Sequence, residues 1–145
     1  MEIRRVTSQG SETLDEFYLN LVDNSQRPNQ RRLPQCMLDL LDALRADGPE
    51  PVVWGLTSMA RLRLHATNDW RARTLVFISP NADGSWNIDC ALPPDRCPWP
   101  DAAVTGHTEE LAEAVRRVHL GLQWAGLLAA PTEAEPSAAP DRDGK

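Results

Sequence analysis

The chain has 145 residues, 41% hydrophobic and 25% charged, with a formal net charge of −6 at pH 7. That length supports one domain with a substantial core, and the composition is that of a folded globular protein. The acidic balance lacks the overall basic footprint of a nucleic-acid-binding protein, and no apolar stretch reaches the roughly 18 residues that span a bilayer.

Met1-Glu2-Ile3-Arg4-Arg5-Val6 runs straight into polar Thr7-Ser8-Gln9-Gly10, without a secretory apolar core, so a cytoplasmic protein is expected. Positive charge is almost all arginine, with Lys145 the single lysine; with abundant alanine and proline this points to a GC-rich bacterial genome. The three cysteines, Cys36, Cys90 and Cys97, form no C-x-x-C and cannot all pair within the chain, so free thiols in a reducing compartment are expected.

Residues 11–24 read as a helix: Thr13 and Glu16 have capping-box spacing, and Leu14, Phe17, Tyr18 and Leu21 share a face. Asn24 to Arg32 reads as a polar loop. A second helix starts at Pro34, carries Met37, Leu38, Leu40, Leu41 and Leu44 as its apolar stripe, and ends at Gly48. Val52-Val53-Trp54 is a short strand, with Gly55 as a bend or bulge after it. The strand near 58–66 has two faces, Ala60, Leu62 and Leu64 on one, Arg61, Arg63 and His65 on the other. The strand near 72–79 is apolar at both parities, Leu75 and Phe77 against Val76 and Ile78, which marks it as central. Asp83-Gly84 turns the chain into a strand near 85–92 with Trp86, Ile88, Cys90 and Leu92 inward. A proline-rich connection follows over 93–107, with room for a short edge strand at Ala103-Val104-Thr105. Thr108 then caps a last helix whose stripe is Leu111, Val115, Val118 and Leu122, with Glu113 and Arg117 paired on its wet side. From Pro131 the composition shifts to Pro, Ala and acidic residues, as in a disordered tail.

The expected architecture is therefore α+β: residues 1–130 form one domain with an antiparallel sheet of three to five strands, two N-terminal helices and a C-terminal helix packed on it, followed by the tail over 131–145.

Few residues suggest chemistry. Arg61, Arg63 and His65 share a strand face, and Arg71 and Arg73 begin the next strand; opposed guanidinium groups suit a phosphate or a partner's carboxylates. The plainer reading is a solvated face neutralised by Asp69, Asp89 and glutamates from a helix. Aromatic residues do not interleave there as a nucleic-acid stacking platform requires. Cys97, His107 and Asp89 or Asp101 lack any local signature of a nucleophile and its base. His65, His107 and His119 have no metal-ligand spacing, and no phosphate-loop or G-x-S-x-G motif is present, so no metal, cofactor or catalytic residue is assigned. Five tryptophans are more than this core needs, and Trp70 and Trp99 fall in connections. Trp99, between Pro98 and Pro100, is either a preorganised binding anchor or a cap on the sheet edge.

Gly55-Leu56-Thr57-Ser58, the hairpin from Trp86 to Leu92-Pro93, the Pro98-Trp99-Pro100 loop and the terminal amphipathic helix together resemble small bacterial immunity-type proteins of toxin–antitoxin or effector–immunity pairs, over about half the chain. The resemblance implies an acidic cytoplasmic protein acting through a surface, and transfers no site residue. The functional expectation is a non-enzymatic binding protein that neutralises or escorts a protein partner, with the acidic balance favouring a basic one. Its partner-binding residues are expected among Trp99, Trp70, Arg61, Arg63, His65, Arg71 and Arg73. The alternative is a small enzyme or an anion- or ligand-binding domain built on the arginine-rich sheet face.

Overall fold

The computed structural model describes residues 1–129. The chain runs β1 (Glu2–Arg5), α1 (Leu14–Asp23), α2 (Pro28–Arg45), β2 (Val52–Ser58), β3 (Arg61–His65), β4 (Val76–Pro80), β5 (Trp86–Ala91), β6 (Ala103–Thr108) and α3 (Leu111–Trp124). All six strands join one open sheet in chain order. β1 pairs with β2 in parallel, and every other pairing is antiparallel. The class is α+β, as expected, with more strands than the three to five anticipated. The addition is β1. Its few residues carry too little pattern to mark a strand, and its pairing with β2 forms only after two helices have intervened.

The helices cover one face of the sheet. α2 lies against β1 and β4, α3 against β4, β5 and β6, and α1 packs on α2. The core between the layers is built from Tyr18, Met37, Leu40, Leu41 and Leu44 on the helical side and Val53, Leu62, Leu64, Val76, Ile78 and Ile88 on the sheet, closed by Ala114, Val118 and Leu122 of α3.

The α1 cap forms as the spacing predicts: Glu16 N–H donates to Thr13 Oγ1 at 3.1 Å and Thr13 N–H to Glu16 Oε1 at 2.8 Å. Five residues after Thr13, fully buried Tyr18 donates its hydroxyl to the Ala60 carbonyl at 2.9 Å, which pins the tight β2–β3 turn to α1. Burial raises the Tyr18 pKa above the ordinary phenol value, so the donor stays protonated. Tyr18→Phe should cost about 1–1.5 kcal/mol in urea unfolding, the net worth of one buried hydrogen bond. An unchanged midpoint would show that water replaces the hydroxyl.

Several boundaries differ from expectation for identifiable reasons. α2 begins at Pro28, at the first helical position, and not at Pro34. Gln30, Arg31 and Arg32, which read as loop because they are polar, form an exposed helical turn, and Pro34 sits buried inside the helix. Gly55 makes no bulge; it stays in register between Arg5 and Leu64. A Cβ there would lie 2.9 Å from Leu62 Cδ1 and 3.0 Å from Leu14 Cδ1, so the missing side chain lets the first turn of α1 sit on the sheet. Gly121 does the same for α3: a Cβ would lie 2.6 Å from Val76 Cγ2 and 2.9 Å from Cys90 Sγ. That close seat rotates the helix. Its buried positions are Ala114, Val118, Gly121 and Leu122, and Leu111, expected inside, is exposed. Thr108 belongs to β6 and not to the helix cap; its Oγ1 accepts from Glu110 N–H at 3.1 Å just before α3 starts. The expected pair of Arg117 Nε with Glu113 is present at 2.8 Å, and Arg116 shares the same carboxylate. These two guanidinium groups hold the Glu113 pKa down at about 2. The tail anticipated over 131–145 lies outside the described residues.

Candidate binding face

The face of the sheet away from the helices carries the residues that the sequence singled out. The strand register aligns one row across it: Leu56, Arg63, Phe77, Asp89 and Thr105. The Arg63 guanidinium stacks over the Phe77 ring, 4.6 Å from its centroid, and Arg61 approaches the same ring at 5.8 Å. Arg4 lies over Trp54 at 5.8 Å. Among the described residues neither Arg61 nor Arg63 has an ion-pair partner. The expected neutralisation by Asp69, Asp89 and helical glutamates occurs only in part: among the described residues Asp69 pairs with Arg71 at 3.7 Å, while the helices, on the opposite face, bring no glutamate to Arg61 or Arg63. Arginine charge is held here by aromatic faces, which leave the planar N–H edge free to donate.

Two connections border this face at one end of the sheet, residues 66–75 after β3 and 92–102 after β5. The first folds back over the open face. Asn68 Oδ1 accepts from Thr7 N–H at 3.0 Å, Asp69 O lies 3.0 Å from His65 Nδ1, and Thr74 Oγ1 lies 3.3 Å from His65 Nε2. His65 is therefore only 1% exposed, although it shares a parity with Arg61 and Arg63. It braces the loop from beneath and is withdrawn from the partner-facing set. The loop it braces carries Trp70, Arg71 and Arg73. Arg73 Nη2 donates to Leu92 O at 2.7 Å and ties the two connections together, while Arg71 lies over Trp70 at 5.6 Å.

Between them lies a cleft of about 620 Å³ lined by Arg63, Arg71, Arg73, Phe77, Asp89 and Asp101, among others. Three arginines and two aspartates thus line one space. The structure brings together Arg63, Arg71 and Arg73 from the sequence set, with Arg61 beside them on the shared Phe77 ring. Trp70 and Trp99 do not line the cleft; they lie in the two connections that border the face and are 58% and 67% exposed. That exposure removes the reading of Trp99 as a cap on the sheet edge. Phe77 escaped the sequence analysis as a site residue, and Asp89 and Asp101 enter it only as an orienting acid for Cys97 and His107 or, for Asp89, as a neutraliser of the arginines. Phe77 read as core because it sits in an apolar run, and its alignment with Arg63 and Asp89 appears only with the strand register.

The remaining candidate groupings are structural. Ser85 Oγ donates to Asp83 Oδ1 at 2.6 Å and lies 3.0 Å from Asn81 Nδ2 and 2.9 Å from His107 Nε2. With its hydroxyl proton committed to Asp83 and only 1% exposed, Ser85 is a knot under the β4–β5 turn and no nucleophile. Those hydrogen bonds hold the Asp83 pKa below the usual carboxylate range. Among the described residues no group of three or more His, Cys, Asp or Glu side chains is placed to hold a metal, and no helix is long and apolar enough to cross a membrane. No protein-family model, curated protein or solved structure matches the chain. The site must speak through its own geometry.

The thiols are all free and differ in burial. Burial pushes the Cys36 pKa up to about 12 and the Cys90 pKa up to about 11, whereas Cys97 is partly exposed in the 92–102 connection. Only the thiolate attacks, so a disulfide reagent at neutral pH should label Cys97 first and reach the other two only on unfolding. Cys97→Ser should abolish the fast phase; a fast phase that persists would mean that one buried thiol is accessible.

Proposed function

We propose that the protein is a non-enzymatic binding protein that neutralises or escorts a protein partner, and that it grips this partner with the open face of its sheet. The observation that supports this most directly is the pairing of Arg61 and Arg63 with an aromatic ring instead of an acid, on a face that no helix covers and two exposed tryptophans border. Stacked guanidinium groups are already oriented, so a partner's carboxylate entering the cleft gains charge-assisted and bidentate hydrogen bonds at little ordering cost. The net charge of −6 steers basic partners at long range. The cleft adds a narrower demand at contact: an acidic side chain or chain terminus directed at Arg63, Arg71 and Arg73, with apolar surface around it for Trp70 and Trp99.

The test is capture from the source cells, followed by calorimetry with the purified prey. Trp99→Ala should weaken that binding by about 2 kcal/mol, as truncated hot-spot tryptophans do. The same change should alter unfolding stability by less than about 0.5 kcal/mol, because the side chain is exposed. A prey that binds wild type and Trp99→Ala equally would place the contact elsewhere. Saturable uptake of inorganic phosphate by the cleft, with no protein captured, would favour the anion-binding alternative.

A further inference from the structure

The two edges of the sheet differ. At β1, Arg45 Nη2 donates to the outward carbonyl of Ile3 at 3.1 Å, and residues 10–15 run alongside the strand. At β6, Arg117 Nη1 caps the His107 carbonyl at 2.9 Å; it reaches there because Gly106 has no side chain, and a Cβ would lie 2.7 Å from that nitrogen. The rest of the β6 edge is open. Leu92 N–H donates to Ala102 O at 3.0 Å, which sets the phase of the β5–β6 ladder. Ala102, Val104, Gly106 and Thr108 turn their backbone groups to β5, while Ala103, Thr105 and His107 turn theirs outward. Among the described residues, the N–H groups of these three and the carbonyls of Ala103 and Thr105 have no partner. β6 also lacks the usual protection of an edge: it contains no lysine, proline or acid, and its register with β5 is unbroken.

We propose that β6 is a dimerisation edge, pairing antiparallel with β6 of a second copy of this chain about a two-fold axis at Val104. The strand is self-complementary in that register. Ala103 and Thr105 meet the partner's Thr105 and the partner's Ala103, each pair exchanging both of its free backbone hydrogen bonds. Val104, 48% exposed, meets the partner's Val104 at the position where facing side chains lie closest. It stands on the helix side, beside a notch of about 250 Å³ lined in part by Cys90, Leu120 and Trp124, which the second strand covers. Centring the axis on Thr105 instead would set Val104 against the partner's Gly106 and forfeit that side-chain contact. The open faces of the two copies become continuous across the axis. This inference concerns the strand edge and does not rest on the partner-binding proposal.

Sedimentation velocity of the full chain over a concentration series tests it. The wild type should shift from monomer to dimer as concentration rises. Thr105→Pro removes one outward N–H and no bond to β5, so it should keep the circular dichroism spectrum and raise the dimer dissociation constant at least tenfold. Val104→Lys changes no backbone group, places two ammonium groups together at the axis, and should have the same effect; it keeps the test decisive if the proline variant misfolds. A wild type that stays monomeric up to about 1 mM, or a dimer that survives Val104→Lys, would overturn the proposal.

Discussion

Val118→Asp should leave the protein unfolded or aggregated at 25 °C. Val118 has no exposed surface and lies in the layer between α3 and the sheet, among Val76, Ile88 and Leu122 of the same core. A carboxylate there loses its hydration and finds no cation facing it. The cost is several kcal/mol even if the group takes up a proton, against a total stability of about 5–15 kcal/mol for a domain of this kind. Leu111→Asp is the informative control. A helical stripe read from the sequence makes Leu111 and Val118 equivalent, but Leu111 is 38% exposed and should tolerate the charge with a loss below about 1 kcal/mol. Circular dichroism and size-exclusion chromatography of both variants decide the matter. A Val118→Asp protein that melts like wild type would mean that α3 presents a different face to the sheet.

Arg63→Glu should abolish partner binding while sparing the fold. The substitution removes a stacked guanidinium from the lining of the cleft and adds a carboxylate to a lining that already holds Asp89 and Asp101, so an incoming acidic group meets repulsion as well as a missing donor. Truncating one side of a hydrogen-bonded charge pair costs about 2–5 kcal/mol, and reversing its sign costs at least as much, so affinity should fall 30-fold or more. Stability should change by only about 0.5–1 kcal/mol, the worth of the lost stack on Phe77. Arg63→Lys retains the charge without the planar fork and should recover part of the affinity. Arg31→Glu, on the exposed first turns of α2, should have no effect. Equal loss from Arg31→Glu and Arg63→Glu would reduce the contact to net charge and sink the cleft as its location.

These two experiments probe different layers of the argument. The first depends on how α3 seats on the sheet: periodicity announces a buried helix face, but the seated helix leaves Leu111 exposed and Val118 buried. The second depends on residues that meet only when strands from different parts of the chain are laid side by side. Trp99 shows the difference within one residue. Its flanking prolines were legible as restraint on an extended loop, but they are compatible with an outward anchor and with an inward cap alike. Only the path of the 92–102 connection decides between them, and it leaves the indole exposed. His65 shows the opposite outcome. Strand alternation placed it with the arginines, and that parity is correct, but a loop tied down at Asn68 and Asp69 folds over it.

What local chemistry alone settled is the α+β class, the capping box at Thr13 and Glu16, the two-faced β3 strand, the Asp83-Gly84 turn, and the Glu113–Arg117 pair. Each rests on residues a few positions apart, whose backbone preferences and side-chain spacing act before any long-range contact forms. What tertiary structure alone decided is β1 as a sixth strand, the helical course of residues 28–33, the close packing of Gly55 and Gly121, and the meeting of Arg63, Arg71 and Arg73 with Asp89 and Asp101 in one cleft. Those features depend on which surfaces the helices cover and which strands become neighbours. Both are set by burial summed over the whole core, where a glycine that is weak in any local pattern becomes the one residue thin enough to let two layers touch.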